Sequence, residues 1–252
     1  MQYGFYNLDC FEGAKKHIAD CSVDLMACDV PFGIREASFS KHYNRDDLTI
    51  GGYVEAPADY ARFSNDWIGE AKRILKDNGA LWVISGWTNL RHVLNAIDAH
   101  GMHLRNHVVW KYNFGVYTRR KFVSAHYHLL YVLKSHRAKP TFNTTCRFSP
   151  EDRTGEGNSA LYRDLEDVWV ITKEYQRGTI KNVNKLPTEL VRKIMQYSSN
   201  PGDLVCDFFL GNGTTAFVAR ELGRSCIGFE LNPAAYKHFS ERFDEVDRGV
   251  AA

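Results

Sequence analysis

Two short stretches of the chain carry residue types that can do chemistry together. In the first, the apolar run Leu25-Met26-Ala27-Cys28 breaks off into Asp29-Val30-Pro31-Phe32. Ligands of open α/β sheets sit at the carboxyl ends of the strands, so a carboxylate there, followed by a stiff turn with an aromatic tip, suits a planar polar substrate. An ordinary turn is the plainer reading. In the second stretch, Asp207-Phe208-Phe209-Leu210-Gly211-Asn212-Gly213-Thr214-Thr215 joins a strand-like run to a helix-like one, and Glu230 follows 23 residues after Asp207. A G-x-G pair in that position lets the backbone pass close to a ligand, and an acid ending the next strand can accept both hydroxyls of a ribose. The third glycine of a dinucleotide loop is absent, and Asp207 would repel a pyrophosphate. An acid there prefers a cationic or amine-bearing ligand, such as the amino-acid part of S-adenosylmethionine.

These groups need elements to hold them, and helix-like and strand-like segments alternate in a way that implies a largely parallel sheet covered by helices. Helices are expected near 13–19, 58–76, 90–100, 186–198 and 214–222, and strands at 23–28, 80–85, 107–111, 128–133, 204–208 and up to Glu230. Phe63, Trp67, Ala71 and Ile74 fall at helical spacing, Asn78-Gly79 is expected to close their helix, and Pro187 is tolerated in a first helical turn. Residues 35–57 are polar and aromatic with a Gly51-Gly52 pair, which reads as a functional loop. The least regular part, 144–178, reads as an appendage.

With 252 residues, 44% apolar and 25% charged, the chain suits one large α/β domain with a small appendage and excludes disordered or fibrous classes. Its apolar runs are far shorter than the ~20 residues that cross a bilayer. The start M-Q-Y-G-F-Y-N lacks a basic signal-peptide region, so a cytoplasmic protein without membrane contact is expected. Six scattered cysteines read as reduced packing thiols, and His100, His103 and His107 have no acidic partner beside them, so no metal is expected. Net charge is only +2, yet residues 99–150 hold nine Lys or Arg and no acid, which leaves a formal −7 elsewhere. Tyr112, Phe114, Tyr117, Phe122, Tyr127, Tyr131 and Phe142 interleave with those cations, a pattern that suits phosphates and stacked bases.

The Asp207–Thr215 loop resembles the cofactor loop D-P-F-x-G-S/N-G-T-T of amino-group DNA methyltransferases, and Asp29-Val30-Pro31-Phe32 resembles their catalytic D-P-P-Y/F tetrad. The order, with the tetrad first and the cofactor loop last, is the permuted arrangement of the beta group. The resemblance covers nearly the whole chain and implies a Rossmann-like, seven-stranded, mostly parallel sheet of class I methyltransferases. It divides the chain into a catalytic and cofactor-binding domain, 1–141 with 179–252, and a target-recognition segment, 142–178.

By this resemblance Asp29, Val30, Pro31 and Phe32 are catalytic: Asp29 and the Val30 carbonyl hold an amino group, Pro31 stiffens the turn, and Phe32 stacks on a flipped base. Asp207, Phe209, Gly211, Gly213, Thr214 and Thr215 line the methionine part of S-adenosylmethionine, and Glu230 the ribose. Asp9 and Cys10 lie near the adenine ring, and Lys185 with Pro187 closes the pocket. Double-stranded DNA is the implied partner. Arg119, Arg120 and Lys121 are expected on phosphates, with Asn44, Arg45, Arg147 and Arg153 at base edges. A homodimer and a cognate restriction endonuclease are the protein partners that the resemblance allows.

Three departures stand out. Val30 replaces the first proline of the tetrad and implies a floppier turn, the D-P proline is missing beside Phe209, and Leu186 separates Lys185 from Pro187. An initial Asp favours adenine N6, since cytosine-N4 relatives more often begin with Ser. An inactive DNA-binding protein on the same scaffold is the alternative from another class.

Overall fold

The computed structural model describes residues 1–33, 55–113, 115, 117, 119–174 and 185–247. Its centre is β2 (Val23–Asp29), where alternate residues point to opposite faces: Leu25 and Ala27 enter one apolar cluster, Met26 and Cys28 the other. A strand apolar on both faces has to be covered on both. On one face lie α1 (Cys10–His17), α2 (Tyr60–Ile74) and α3 (Leu90–Ala99), through residues such as Ala14, Trp67, Ile68 and Ile97. On the other lie α5 (Thr188–Ser198), α6 (Thr214–Glu221) and α7 (Pro233–Asp247), through Leu190, Ile194, Val218 and Phe239. The short helix α4 is Ala160–Asp164.

The remaining strands are β1 (Tyr3–Tyr6), β3 (Leu75–Ser85), β4 (His103–Lys111), β5 (His126–Leu133), β6 (Val168–Val170), β7 (Leu204–Asp207) and β8 (Ser225–Phe229). They form one sheet in the order β1-β8-β7-β2-β3-β5-β4-β6. Only β5 opposes its neighbours, β3 and β4; the other pairings are parallel. The carboxyl ends of β2, β3, β7, β8 and β4 therefore share one edge. Because Lys111 pairs with His126, the β4–β5 hairpin loop leaves the sheet at that same edge.

Among the described residues the sheet has eight strands, where seven are expected. Tyr3–Tyr6 and Val168–Val170 escaped the sequence pattern because four and three residues are too few to show a period. The latter lies inside the irregular 144–178 segment and pairs with β4, which ties that segment to the main sheet. Asn78-Gly79 does not close α2, which ends at Ile74. Leu75 already pairs with Val23, and residues 76–79 bulge out before pairing resumes at Ala80 opposite Leu25. Pro187 stands at the N-cap of α5, just outside its first turn.

Candidate active site

Asp29 is the last residue of β2, and the turn after it is braced from elements distant in sequence. The Tyr60 hydroxyl donates to the Pro31 carbonyl at 2.9 Å, and the Asn89 amide donates to the Phe32 carbonyl at 2.7 Å. The Gly33 N–H donates to Glu55 Oε1 at 2.7 Å. Gly33 has φ +68°, and a Cβ there would lie 2.4 Å from the Tyr60 ring, so the turn closes at a position only glycine fits well. Val30 buries its side chain in the core and donates its N–H to the Ile84 carbonyl at 3.3 Å. The tetrad without its first proline is thus not left floppy: packing and three side-chain braces fix it. The Phe32 ring meets Tyr127 of β5 with centroids 5.1 Å apart.

The second half of the site is β7-loop-α6-β8. Gly213 caps α6 with φ +74°, and a Cβ there would fall 2.1 Å from the buried ring of Phe239 in α7. The C-terminal helix therefore presses the loop inward. The two oxygens of Glu230 accept from the N–H groups of Gly211 and Asn232, each at 2.8 Å. Asp207 Oδ1 accepts from the Phe209 N–H at 3.0 Å, and the Thr215 hydroxyl also reaches this carboxylate. Phe208 is buried where the family has proline, and Phe209 packs at right angles against Trp67 with centroids 5.8 Å apart.

The two halves meet in one cavity of about 390 Å³. Asp29, Val30, Pro31 and Phe32 line one side, and Asp207, Phe209, Gly211, Thr214, Thr215 and Glu230 line the other. Asp9, Cys10 and Lys185 line it too; Gly213 shapes the wall from behind. Asp9 also caps α1, accepting from the Phe11 N–H at 2.9 Å, and Lys185 pairs with Glu174 at 3.0 Å. Burial, together with the charge of Asp207, pushes the Asp29 carboxyl up to about 7. Asp207 is raised to about 6, again chiefly by burial and against its hydrogen bonds. Burial also raises Glu230. Three carboxylates in one cleft, uncomfortable as anions, are suited to a ligand with positive charge and N–H or O–H donors.

Other expected residues are placed differently. Arg119, Arg120 and Lys121 are exposed on the β4–β5 loop, beside Phe122, which is 98% exposed. Arg147 is turned inward: its guanidinium binds Asp164, Glu189 and Gln196, so its donors serve internal packing and not a base edge. The sequence suggests a surface cation there because both acidic partners lie outside the acid-free stretch. Arg153 stays exposed, with its guanidinium on the Pro150 carbonyl at 2.7 Å. Asn44 and Arg45 lie outside the described residues, as does most of the 35–57 loop. Tyr60, Asn89 and Glu55 were missed, and so was Lys173, which lines the cavity; no local motif marks any of them.

The model of a DNA methylase family, N6/N4 type, matches residues 23–241. The chain belongs to the N6/N4 DNA methylase family. It is 32% identical to the type II methyltransferase M.BamHI of Bacillus amyloliquefaciens over 90% of its own length, and spans about half (54%) of that protein. It is 27% identical to the type II methyltransferase M.HpaI of Haemophilus parainfluenzae, covering 94% of this chain and 73% of that one. Its fold is similar to that of a putative DNA modification methylase from Thermus thermophilus, solved with S-adenosyl-L-methionine. There the TM-score is 0.70 at 19% identity, over 96% of this chain and 93% of the other. Among the described residues no helix is long and apolar enough to cross a membrane.

Proposed function

We propose that the chain transfers a methyl group from S-adenosylmethionine to the exocyclic amino group of a base in double-stranded DNA, with adenine N6 as the target. The observation that carries this reading is the shared cavity: a braced carboxylate turn faces a glycine cradle across a space of about 390 Å³. The cofactor suits the residues present. Gly211 leaves the cradle without a side chain, Asp207 offers a carboxylate to an ammonium group, and each Glu230 oxygen bound to a backbone N–H keeps lone pairs for a ribose hydroxyl. When bound, S-adenosylmethionine supplies an electrophilic methyl group on a sulfonium.

The chain's own residues then have to present a poor nucleophile. An exocyclic amine delocalises its lone pair into the ring. Asp29 and the Val30 carbonyl accept its two N–H bonds, which favours a pyramidal nitrogen with its lone pair directed at the methyl group. The braces on Pro31, Phe32 and Gly33 hold these acceptors in place before the base arrives, so the rate gain comes from positioning. A carboxylate at the head of the tetrad supports adenine over cytosine. Phe32 and Tyr127 supply aromatic surface for a base rotated out of the duplex.

On the DNA side, Arg119, Arg120 and Lys121 contact phosphates from a loop on the same sheet edge as Asp29, and residues 142–178 act as the recognition segment. A homodimer would extend a small footprint, and a cognate endonuclease is the partner in keeping with the type II relatives. The test is to incubate the protein with labelled S-adenosylmethionine and mixed-sequence DNA, then identify the modified base. N6-methyladenine at a fixed sequence is the expected product; N4-methylcytosine would overturn the base assignment, and tight DNA binding without transfer would overturn the activity.

A further inference from the structure

The chain has five tryptophans, and it packs four of them away. Trp67, Trp82, Trp110 and Trp169 are each exposed by 8% or less, and the indole N–H groups of Trp82, Trp110 and Trp169 donate to Ser198 Oγ, the Ile171 carbonyl and the Glu166 carbonyl. Trp87 is the exception, with 66% of it exposed. Among the described residues no hydrogen bond or ring contact holds its indole. A single exposed apolar residue is ordinary on a protein surface. The position of this one is not.

Trp87 follows β3 at the carboxyl edge of the sheet, where Ile84 pairs with Asp29. Three residues of extended chain put it within about 10 Å of the level of Asp29. Its neighbours on both sides touch the tetrad. A Cβ at Gly86 would lie 3.3 Å from the Phe32 ring, so that ring rests on the backbone just before Trp87. Two residues later, the Asn89 amide donates to the Phe32 and Gly33 carbonyls at 2.7 and 3.3 Å. The segment that carries the indole is thereby fixed to the turn that receives the base. Its charge suits DNA: residues 78–97 contain no acid, and Arg91 is exposed in the first turn of α3.

We propose that Trp87 is a further DNA-binding residue, whose indole stacks on a base left bare when the target nucleotide leaves the duplex. The inference rests on the reading of the tetrad as the receiver of a flipped base. Extrusion strips a stacking partner from the neighbouring bases, and that loss opposes it. An aromatic face at the mouth of the cavity replaces the missing partner. Stacking of this kind accepts any base, because every base has a π face, so Trp87 supports extrusion without reading sequence.

The test uses the indole as its own reporter, since the other four tryptophans are buried. A short duplex with one abasic position already has bare base faces, and needs no knowledge of the recognised sequence. It should quench the exposed tryptophan emission of the wild-type protein more strongly than the fully paired duplex of the same sequence. Trp87→Phe should lose this quenching, which assigns it. In transfer to mixed-sequence DNA, Trp87→Ala should lower kcat/KM for DNA roughly tenfold or more. Trp87→Phe, which keeps an aromatic face, should retain most of the activity. Cofactor affinity and Tm should stay at the wild-type values in both variants. Equal quenching by the two duplexes, or none, overturns the inference, as does an unchanged kcat/KM in Trp87→Ala. A loss of activity accompanied by a change in sedimentation also overturns it, because the indole would then belong to a contact between copies of the chain. If the wild type methylates no DNA, or if Asp29→Ala remains active, the underlying reading fails instead, while the comparison of the two duplexes still reports on Trp87.

Discussion

Asp29 and Asp164 are both carboxylates with little access to water, and the chain treats them in opposite ways. Around Asp164 it gathers donors: Tyr197 Oη at 2.6 Å, Lys193 Nζ at 2.9 Å and Arg147 Nε at 2.9 Å. Burial works against the Asp164 charge, but these partners hold its carboxyl below the ordinary value. Around Asp29 it supplies burial and a second carboxylate, Asp207, and these push the carboxyl up to about 7. A network that satisfies every donor fastens the 142–165 stretch to α5; a network left unsatisfied keeps lone pairs for a ligand. On the proposed function, the contrast separates a group kept for stability from a group kept for chemistry.

The strongest way to break this contrast is to remove each acid. Asp29→Ala should abolish methyl transfer while S-adenosylmethionine affinity, measured by calorimetry, stays near that of the wild type. Retained turnover would show that the acid at the strand end is not the clamp. Asp164→Ala should leave the chemistry in place but take the carboxylate from Lys193, whose side chain is 6% exposed, and one of three partners from Arg147, whose side chain is 16% exposed. Removing one partner of a buried pair costs about 3 kcal/mol or more, which lowers Tm by roughly 6–12 °C for a chain of this size. An unchanged Tm would mean that the network is ornamental.

The pH dependence sharpens the same point, because the two acids carry opposite signs. For Asp29 the folded carboxyl titrates above its unfolded value of about 3.8, so the protein is favoured below that value and loses the advantage as the pH rises towards 7. For Asp164 the folded carboxyl titrates below its unfolded value, so its contribution is present above the unfolded value and is lost on acidification. Asp29→Asn should therefore melt several degrees higher than the wild type in mild alkali, with the gap closing in acid. Scanning calorimetry across pH checks this, and a gap of constant size would show that Asp29 ionises without strain.

What could be read from sequence follows the same division. The glycine loop was legible because its chemistry is local: the acid, both glycines and the threonines fall within nine residues, and Glu230 is one helix further on. The tetrad was legible for the same reason. Its braces were not, since Glu55, Tyr60 and Asn89 lie 22 to 57 positions from the atoms they hold, and no spacing rule links them. Strand β6 was lost because three residues inside a turn-rich segment show no period, and its pairing with β4 is what brings Lys173 to the cavity. Arg147 was misread because charge was summed along the chain, whereas its partners come from α4 and α5.

The smallest expected effect tests whether those distant braces matter to catalysis or only to folding. Tyr60→Phe deletes one hydroxyl and leaves the Pro31 carbonyl without its 2.9 Å donor. An unmet acceptor of this kind is worth about 1–1.5 kcal/mol, which would appear as roughly a tenfold loss of kcat if the whole of it falls on the transition state. KM for the cofactor should not change, because Tyr60 touches the tetrad side of the site, whereas Asp207 and Glu230 are held by the backbone N–H groups of Phe209, Gly211 and Asn232 in their own half. A rise in cofactor KM with kcat intact would place the brace in the wrong half. A proportional loss of kcat and Tm would mean that the turn is simply part of the core, and Val30 alone would then have to account for holding the carbonyl where a proline is missing.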